Sequence, residues 1–156
     1  MSVATSIDRA NDFAARIASW LASPLLLALR AYVAWQFLKS GWLKVSNWES
    51  TLYLFQEEYH VPLLPPAVAA VAGTAGELVF PMLLIIGLLT RYAATGLFAV
   101  NVVAVVAYAH VLLSEGFEAA IGQHYLWGVM LLAVAVFGPG RWSLDELIGR
   151  GGRRQE

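Results

Sequence analysis

Apolar residues run through this chain in four long blocks, at about 24–43, 67–89, 92–113 and 121–137, and polar residues gather between them. A helix needs about 20 residues to cross roughly 30 Å of hydrocarbon, so the first three blocks are long enough to span a bilayer. The fourth, IGQHYLWGVMLLAVAVF, spans only with Gln123 and His124 near one interface. The first, PLLLALRAYVAWQFLKSGWL, carries Arg30 and Lys39, which must snorkel or face other helices. The pattern predicts an all-α membrane protein: a four-transmembrane-helix bundle with short amphipathic interfacial helices, one membrane domain over 1–156.

The segments between the blocks have their own periodicity. Ile7, Ala10, Phe13, Ala14, Ile17 and Leu21 recur at helical spacing, which predicts a short amphipathic helix within 1–22 lying at the interface. Asp8 and Asp12 interrupt its basic region, unlike a secretory signal. In the 45–66 connection Trp48, Leu52, Phe55 and Tyr59 form a similar stripe, and VPLLPP then reads as an extended connector. GPGRWSLDEL stops the last span. Ser143 and Glu146 have capping-box spacing for a short helix in the 141–156 segment, and GRGGRRQE reads as a disordered basic tail. There is no internal repeat and no sign of a second domain.

Composition narrows the classes. The chain is 59% hydrophobic and 13% charged, with a mean hydropathy of +0.63, against roughly 25% charged in soluble domains. A net charge of −1 and the lack of a basic, aromatic-interleaved patch give no reason to expect nucleic acid. Without cysteine, the chain alone makes no disulfide, iron–sulfur or thiolate metal site. With four crossings, Arg9, Arg16, Arg91, Arg141, Arg150, Arg153 and Arg154 share one side, and Lys44 lies on the other with Glu49, Glu57, Glu58, Glu115 and Glu118. The positive-inside rule then places both termini in the cytoplasm.

Candidate chemistry lies in the polar residues at membrane depth. Glu77 and Asn101 fall near the midplane, Arg30 lies cytoplasmic of centre, and Lys39, His110 and His124 lie toward the outer side. An ionisable group at depth costs at least ~2.5 kcal/mol on insertion scales and therefore finds a partner. Arg30 and Glu77 are within plausible reach of each other. Arg30, Ala34, Phe37, Gly41 and Lys44 share one face of the first span, where Gly41 would let a helix or ligand approach closely. Gly73, Glu77, Phe80 and Leu84 share a face of the second, and Pro81 cannot donate to the carbonyl of Glu77. An Arg30–Glu77 pair could equally serve only to fix helix register. Bis-histidine haem ligation by His110 and His124, or a metal held by two histidines and Glu77, is conceivable; interfacial or hydrogen-bonded histidines are the commoner case, so neither haem nor metal is expected. His60 reads as solvated. The tryptophans fit interfacial belts, and Trp127, one turn from His124, could line a cavity.

Taken together, Arg30, QFLKSGWLK (36–44), GELVFPMLLIIGLLTR (76–91) and GPGRWSLDEL resemble the DoxX family of small bacterial membrane proteins, over about residues 24–148. The family-like positions are Arg30, Gly41, Lys44, Glu77, Gly87, Arg91 and Asn101, with Gly138, Pro139 and Gly140; His124 and Trp127 enter from depth and periodicity alone. The family takes its name from a subunit of a thiosulfate:quinone oxidoreductase, and some relatives accompany genes for metal-stress peptides. The resemblance implies a bacterial inner-membrane protein in a quinone-linked redox setting, without proving catalysis.

Two functions follow as expectations. One is a quinone-binding oxidoreductase subunit, with Arg30 and Glu77 as its catalytic pair and Lys44, Asn101, His124, Trp127 and Gly41 around the ligand. Its electron donor would be a partner protein or bound cofactor, because the chain has no nucleotide-binding glycine pattern. The other is a non-catalytic scaffold for partner membrane or peripheral proteins in stress response or metal handling, as a monomer or homo-oligomer. A small-solute carrier would need an oligomer, and no inverted repeat supports it.

Overall fold

Seven helices follow one another in the computed structural model, which describes residues 3–152: α1 (Val3–Ser46), α2 (Trp48–Glu57), α3 (Pro66–Ile86), α4 (Thr90–Ala107), α5 (Ala109–Leu112), α6 (Glu118–Phe137) and α7 (Leu144–Gly152). Among the described residues, α1, α3, α4 and α6 are the four helices long and apolar enough to cross a membrane. A three-residue turn, 87–89, folds α4 back along α3, and α2 and α5 lie within the longer connections. α1 packs on α3, α3 on α4 and α4 on α6, and α6 closes back on α1. All four contribute to one core, with Val33, Ala34 and Phe37 from α1, Leu84 from α3, Ala93, Ala94 and Leu97 from α4, and Leu131 and Val134 from α6. Small residues at these seams let the backbones approach, which is how helices associate where lipid removes the hydrophobic drive. Trp35, Met82, Val129 and Phe137 point outward and are exposed, as lipid-facing side chains must be.

The α1–α3 seam is tight at Gly41, where a methyl group would lie 2.9 Å from Leu78 Cδ2 and 3.1 Å from Glu77 Cβ. Gly41 therefore admits a helix. Gly96 makes room for Phe80, whose Cζ would lie 2.5 Å from an added methyl, and Gly76 makes room for Val100, whose Cγ2 would lie at 2.8 Å.

Three boundaries differ from the sequence-based expectation. The amphipathic N-terminal segment is not a separate helix: α1 runs 44 residues through Pro24. At about 1.5 Å per residue it outruns the bilayer core, and its apolar stripe of Ile7, Phe13, Ile17, Trp20 and Leu21 stays exposed. The third span ends at Ala107 instead of continuing to 113. The Ala107 carbonyl accepts the His60 N–H at 2.9 Å, and the Val111 N–H turns to Tyr108 at 3.1 Å, so the α-helical ladder breaks there. At the other end α7 continues through Gly152, while residues 153–156 of the expected tail lie outside the described residues. The surface helix of the 45–66 connection is present as α2, and Ser143 caps α7 by accepting the Glu146 N–H at 3.2 Å.

Candidate functional site

Lys44 and Glu77 face each other where α1 ends beside the middle of α3. Lys44 Nζ donates to Glu77 Oε1 at 2.5 Å, to Oε2 at 2.6 Å and to Ser40 Oγ at 3.2 Å. Glu77 is buried, and the Lys44 side chain is 16% exposed. Thr51 fixes the turn behind them by donating its hydroxyl to the Lys44 carbonyl at 3.0 Å. The pair closes one side of a cavity of about 480 Å³ that lies between α3 and α4 under α2. Small residues of α3 and α4, including Ala69, Gly73, Gly96, Ala99 and Ala104, open its floor, with Phe80 among its larger apolar groups. Tyr59 and Tyr108 join the wall from the α2–α3 connection and the α4 end; their rings meet edge to face at 5.1 Å, and Phe55 meets Tyr59 at 5.0 Å. Burial, then the neighbouring Tyr108 and Glu77, push the Tyr59 phenol up from its ordinary value, so its hydroxyl stays protonated. Neither phenol makes a hydrogen bond among the described residues, so both remain available as donors.

His124 enters the same cavity from α6. Asn101 holds it from α4: Nδ2 donates to the His124 main-chain carbonyl at 3.0 Å, and Oδ1 lies 2.8 Å from His124 Nδ1. Asn101 itself does not line this cavity. It faces a shallower groove of about 290 Å³ between α4 and α6, which His124 also borders. Trp127 stands behind His124, edge to face at 5.0 Å, and meets Phe37 the same way at 5.5 Å. It is in neither wall. His110 is not beside His124, because its ring packs on His60 at 5.0 Å and on Tyr108 at 5.4 Å. Among the described residues no three His, Asp or Glu side chains converge as a metal site would require.

Arg30 belongs elsewhere. About 16 Å of helix rise separates it from Gly41, the α1 residue opposite Glu77. It is fully buried at the α7 end, where Nη2 donates to the Trp142 carbonyl at 2.6 Å. The expected Arg30–Glu77 pair is thus replaced by two separate polar centres, one at each end of the bundle. Around Arg30 the GPGRWSLDEL segment folds back over the α3–α4 turn. Asp145 accepts the Leu89 N–H at 2.8 Å and the Thr90 N–H at 2.9 Å, capping α4 and holding Leu89 at φ 48°. Arg91 donates to the Ala135 and Val136 carbonyls, both at 2.7 Å, and so caps the end of α6. This end ties helices together.

Asp145 carries a pH dependence. Burial works to raise its carboxyl, but the Thr90 and Leu89 N–H groups and the Arg30 charge outweigh it and hold the group below its ordinary value of 3.8. A depressed carboxyl contributes stability above its unfolded value and loses it as pH falls through the folded one. Asp145→Asn should therefore lower the melting temperature at pH 7, and the gap to wild type should close below about pH 4. A gap that is constant across a pH series of thermal melts would remove this role.

Fold and site together define a small multi-pass membrane protein with a polar, largely apolar-walled cavity at one end of a four-helix bundle. The DoxX family profile matches residues 25–110. The chain is also 33% identical over 128 residues to an uncharacterized protein of Haemophilus influenzae, covering 79% of this chain and 82% of that relative. The chain belongs to the DoxX family. No solved structure matches it significantly. The matched region includes Arg30, Gly41, Lys44, Glu77, Gly87, Arg91 and Asn101 but ends before α6, which supplies His124.

Proposed function

We propose that this protein is a quinone-binding subunit of a membrane oxidoreductase, seated in the bacterial inner membrane with both termini in the cytoplasm. The observation that carries the reading is the 480 Å³ cavity, apolar over most of its wall and ending on the Lys44–Glu77 pair, with Tyr59, Tyr108 and His124 alongside. Small-molecule sites have this size and this mixture of apolar wall and few polar groups. A quinone ring would lie against the small residues, its carbonyls accepting from the phenols or from Lys44. The Lys44–Glu77 pair supplies a proton-exchanging group at depth. Electrons would come from a partner protein or a cofactor bound to one. Orientation is supported by Arg91 and Arg141 at the α7 end and by Glu49, Glu57, Glu58 and Glu115 at the α2 end.

A scaffold for partner proteins is the second reading, favoured by the use of Asp145 and Arg91 to tie helix ends together. Organic extraction of gently purified protein separates the two. The quinone reading expects quinone in the extract, and about tenfold less from Glu77→Gln, which loses the charge-assisted contact that holds Lys44 Nζ at the cavity wall. Extracts free of quinone, with a Glu77→Gln form that is merely less stable, would favour the scaffold.

A further inference from the structure

The contacts of Asn101 determine which nitrogen of His124 carries the proton. A main-chain carbonyl only accepts, so the Asn101 amide nitrogen must face the His124 carbonyl at 3.0 Å. That orientation leaves Oδ1, an acceptor, 2.8 Å from His124 Nδ1. Nδ1 must then be the protonated nitrogen, and in the neutral ring Nε2 carries a lone pair. Nε2 has no hydrogen-bond partner among the described residues. His124 lines the large cavity, and its Nδ1 is taken by Asn101, which does not line it, so Nε2 is the ring nitrogen left for a ligand there.

We propose that His124 Nε2 is a hydrogen-bond acceptor for the cavity's ligand, and that the site therefore selects a ring bearing a hydroxyl, the quinol form, over the quinone. This rests on the quinone reading above and deepens it. Against a carbonyl oxygen, Nε2 would set lone pair on lone pair and leave both groups unpaired. Against a hydroxyl it accepts a hydrogen bond. A buried unmade hydrogen bond of this kind is worth about tenfold or more in affinity. Asn101 is then a positioning residue: it does not touch the ligand but fixes the tautomer that does.

Two measurements on the full chain in detergent or nanodiscs decide this. The first is binding of a decyl-substituted benzoquinone and of its chemically reduced quinol, both under anaerobic conditions. Wild type should bind the quinol about tenfold more tightly, and His124→Phe should bring the ratio near one. A merely structural role for His124 would weaken both forms together and leave the ratio unchanged, which would overturn the proposal. Equal affinity of wild type for both forms, or preference for the quinone, overturns it while leaving the quinone reading standing. Failure of both forms to bind wild type overturns the quinone reading and this proposal with it. The second measurement needs no ligand: imidazole 15N NMR should show His124 protonated on Nδ1, with Asn101→Leu abolishing that preference. An Nε2-protonated ring in wild type would overturn the proposal regardless of any binding result.

Discussion

Replacing Lys44 alone by methionine should destabilise the bundle by about 3–5 kcal/mol, the range for breaking a buried ion pair from one side. Both Glu77 oxygens lie on Lys44 Nζ, at 2.5 and 2.6 Å, and Glu77 is 6% exposed. Methionine fills the space of the lysine stem but leaves a carboxylate in an apolar wall. The α1–α3 contact at Gly41 is too close for the helices to shift and re-solvate it. For a chain of this length the loss corresponds to a fall of roughly 10 °C in a thermal melt followed in one detergent. The double variant Lys44→Met with Glu77→Leu removes both charges and should recover most of that loss, because well-packed apolar replacements of a buried pair are commonly neutral. The recovered protein should still fail to retain quinone, since its cavity keeps its volume and loses its charged end. A Lys44→Met protein melting within a couple of degrees of wild type would show that the pair is not a unit. A double variant that retains quinone would move the ligand away from this end of the cavity.

The four spans were legible because hydrocarbon thickness imposes a length, and that length survives in the sequence as uninterrupted apolar blocks. Their ends were less legible where a distant residue decides them. The end of α4 is set by the His60 N–H taking the Ala107 carbonyl, a contact invisible to local periodicity. The stripe of the amphipathic segment shows helical spacing but not that its helix runs unbroken through Pro24 into the first span. At the site, depth singles out Glu77, Asn101 and His124, and face spacing singles out Lys44, but neither determines partners. Arg30 was paired with Glu77 because both are buried and oppositely charged, whereas its acceptor is the Trp142 carbonyl, 112 residues away. Tyr59 stood in the apolar stripe of the 45–66 connection and could have been read as a wall of the site. Tyr108 carried no such signal, because its ring meets Tyr59 only once α2 folds over the α4 end.

Gly87→Ala should cost about 3 kcal/mol and damage the opposite end of the bundle without touching the cavity. Two independent effects add there. Gly87 has φ 71°, where an L-residue pays about 1–2 kcal/mol, and the turn needs that conformation for the Gly87 and Leu88 N–H groups to reach the Leu83 carbonyl at 2.9 and 3.0 Å. The added methyl would also lie 2.6 Å from Arg30 Nη1, 2.6 Å from Ser143 Cβ and 2.9 Å from Ser143 Cα. Arg30 is fully buried and its Nη2 is held by Trp142, so the guanidinium cannot swing aside, and Ser143 Cα is backbone. Overpacking of this kind adds about 1–3 kcal/mol. Gly122 provides the opposite control: it lies inside α6, with nothing within 4 Å of an added methyl. Gly122→Ala should stabilise by about 0.5–1 kcal/mol, since alanine loses less backbone freedom on entering a helix. Thermal melts of the two variants beside wild type test both signs at once. Because Gly87 acts through Arg30, Ser143 and the α3–α4 turn, Gly87→Ala protein that remains folded below its melting temperature should keep the quinol-to-quinone binding ratio of wild type. A changed ratio would mean that the two polar centres communicate through α1, and the division of the bundle into a structural end and a binding end would have to be given up.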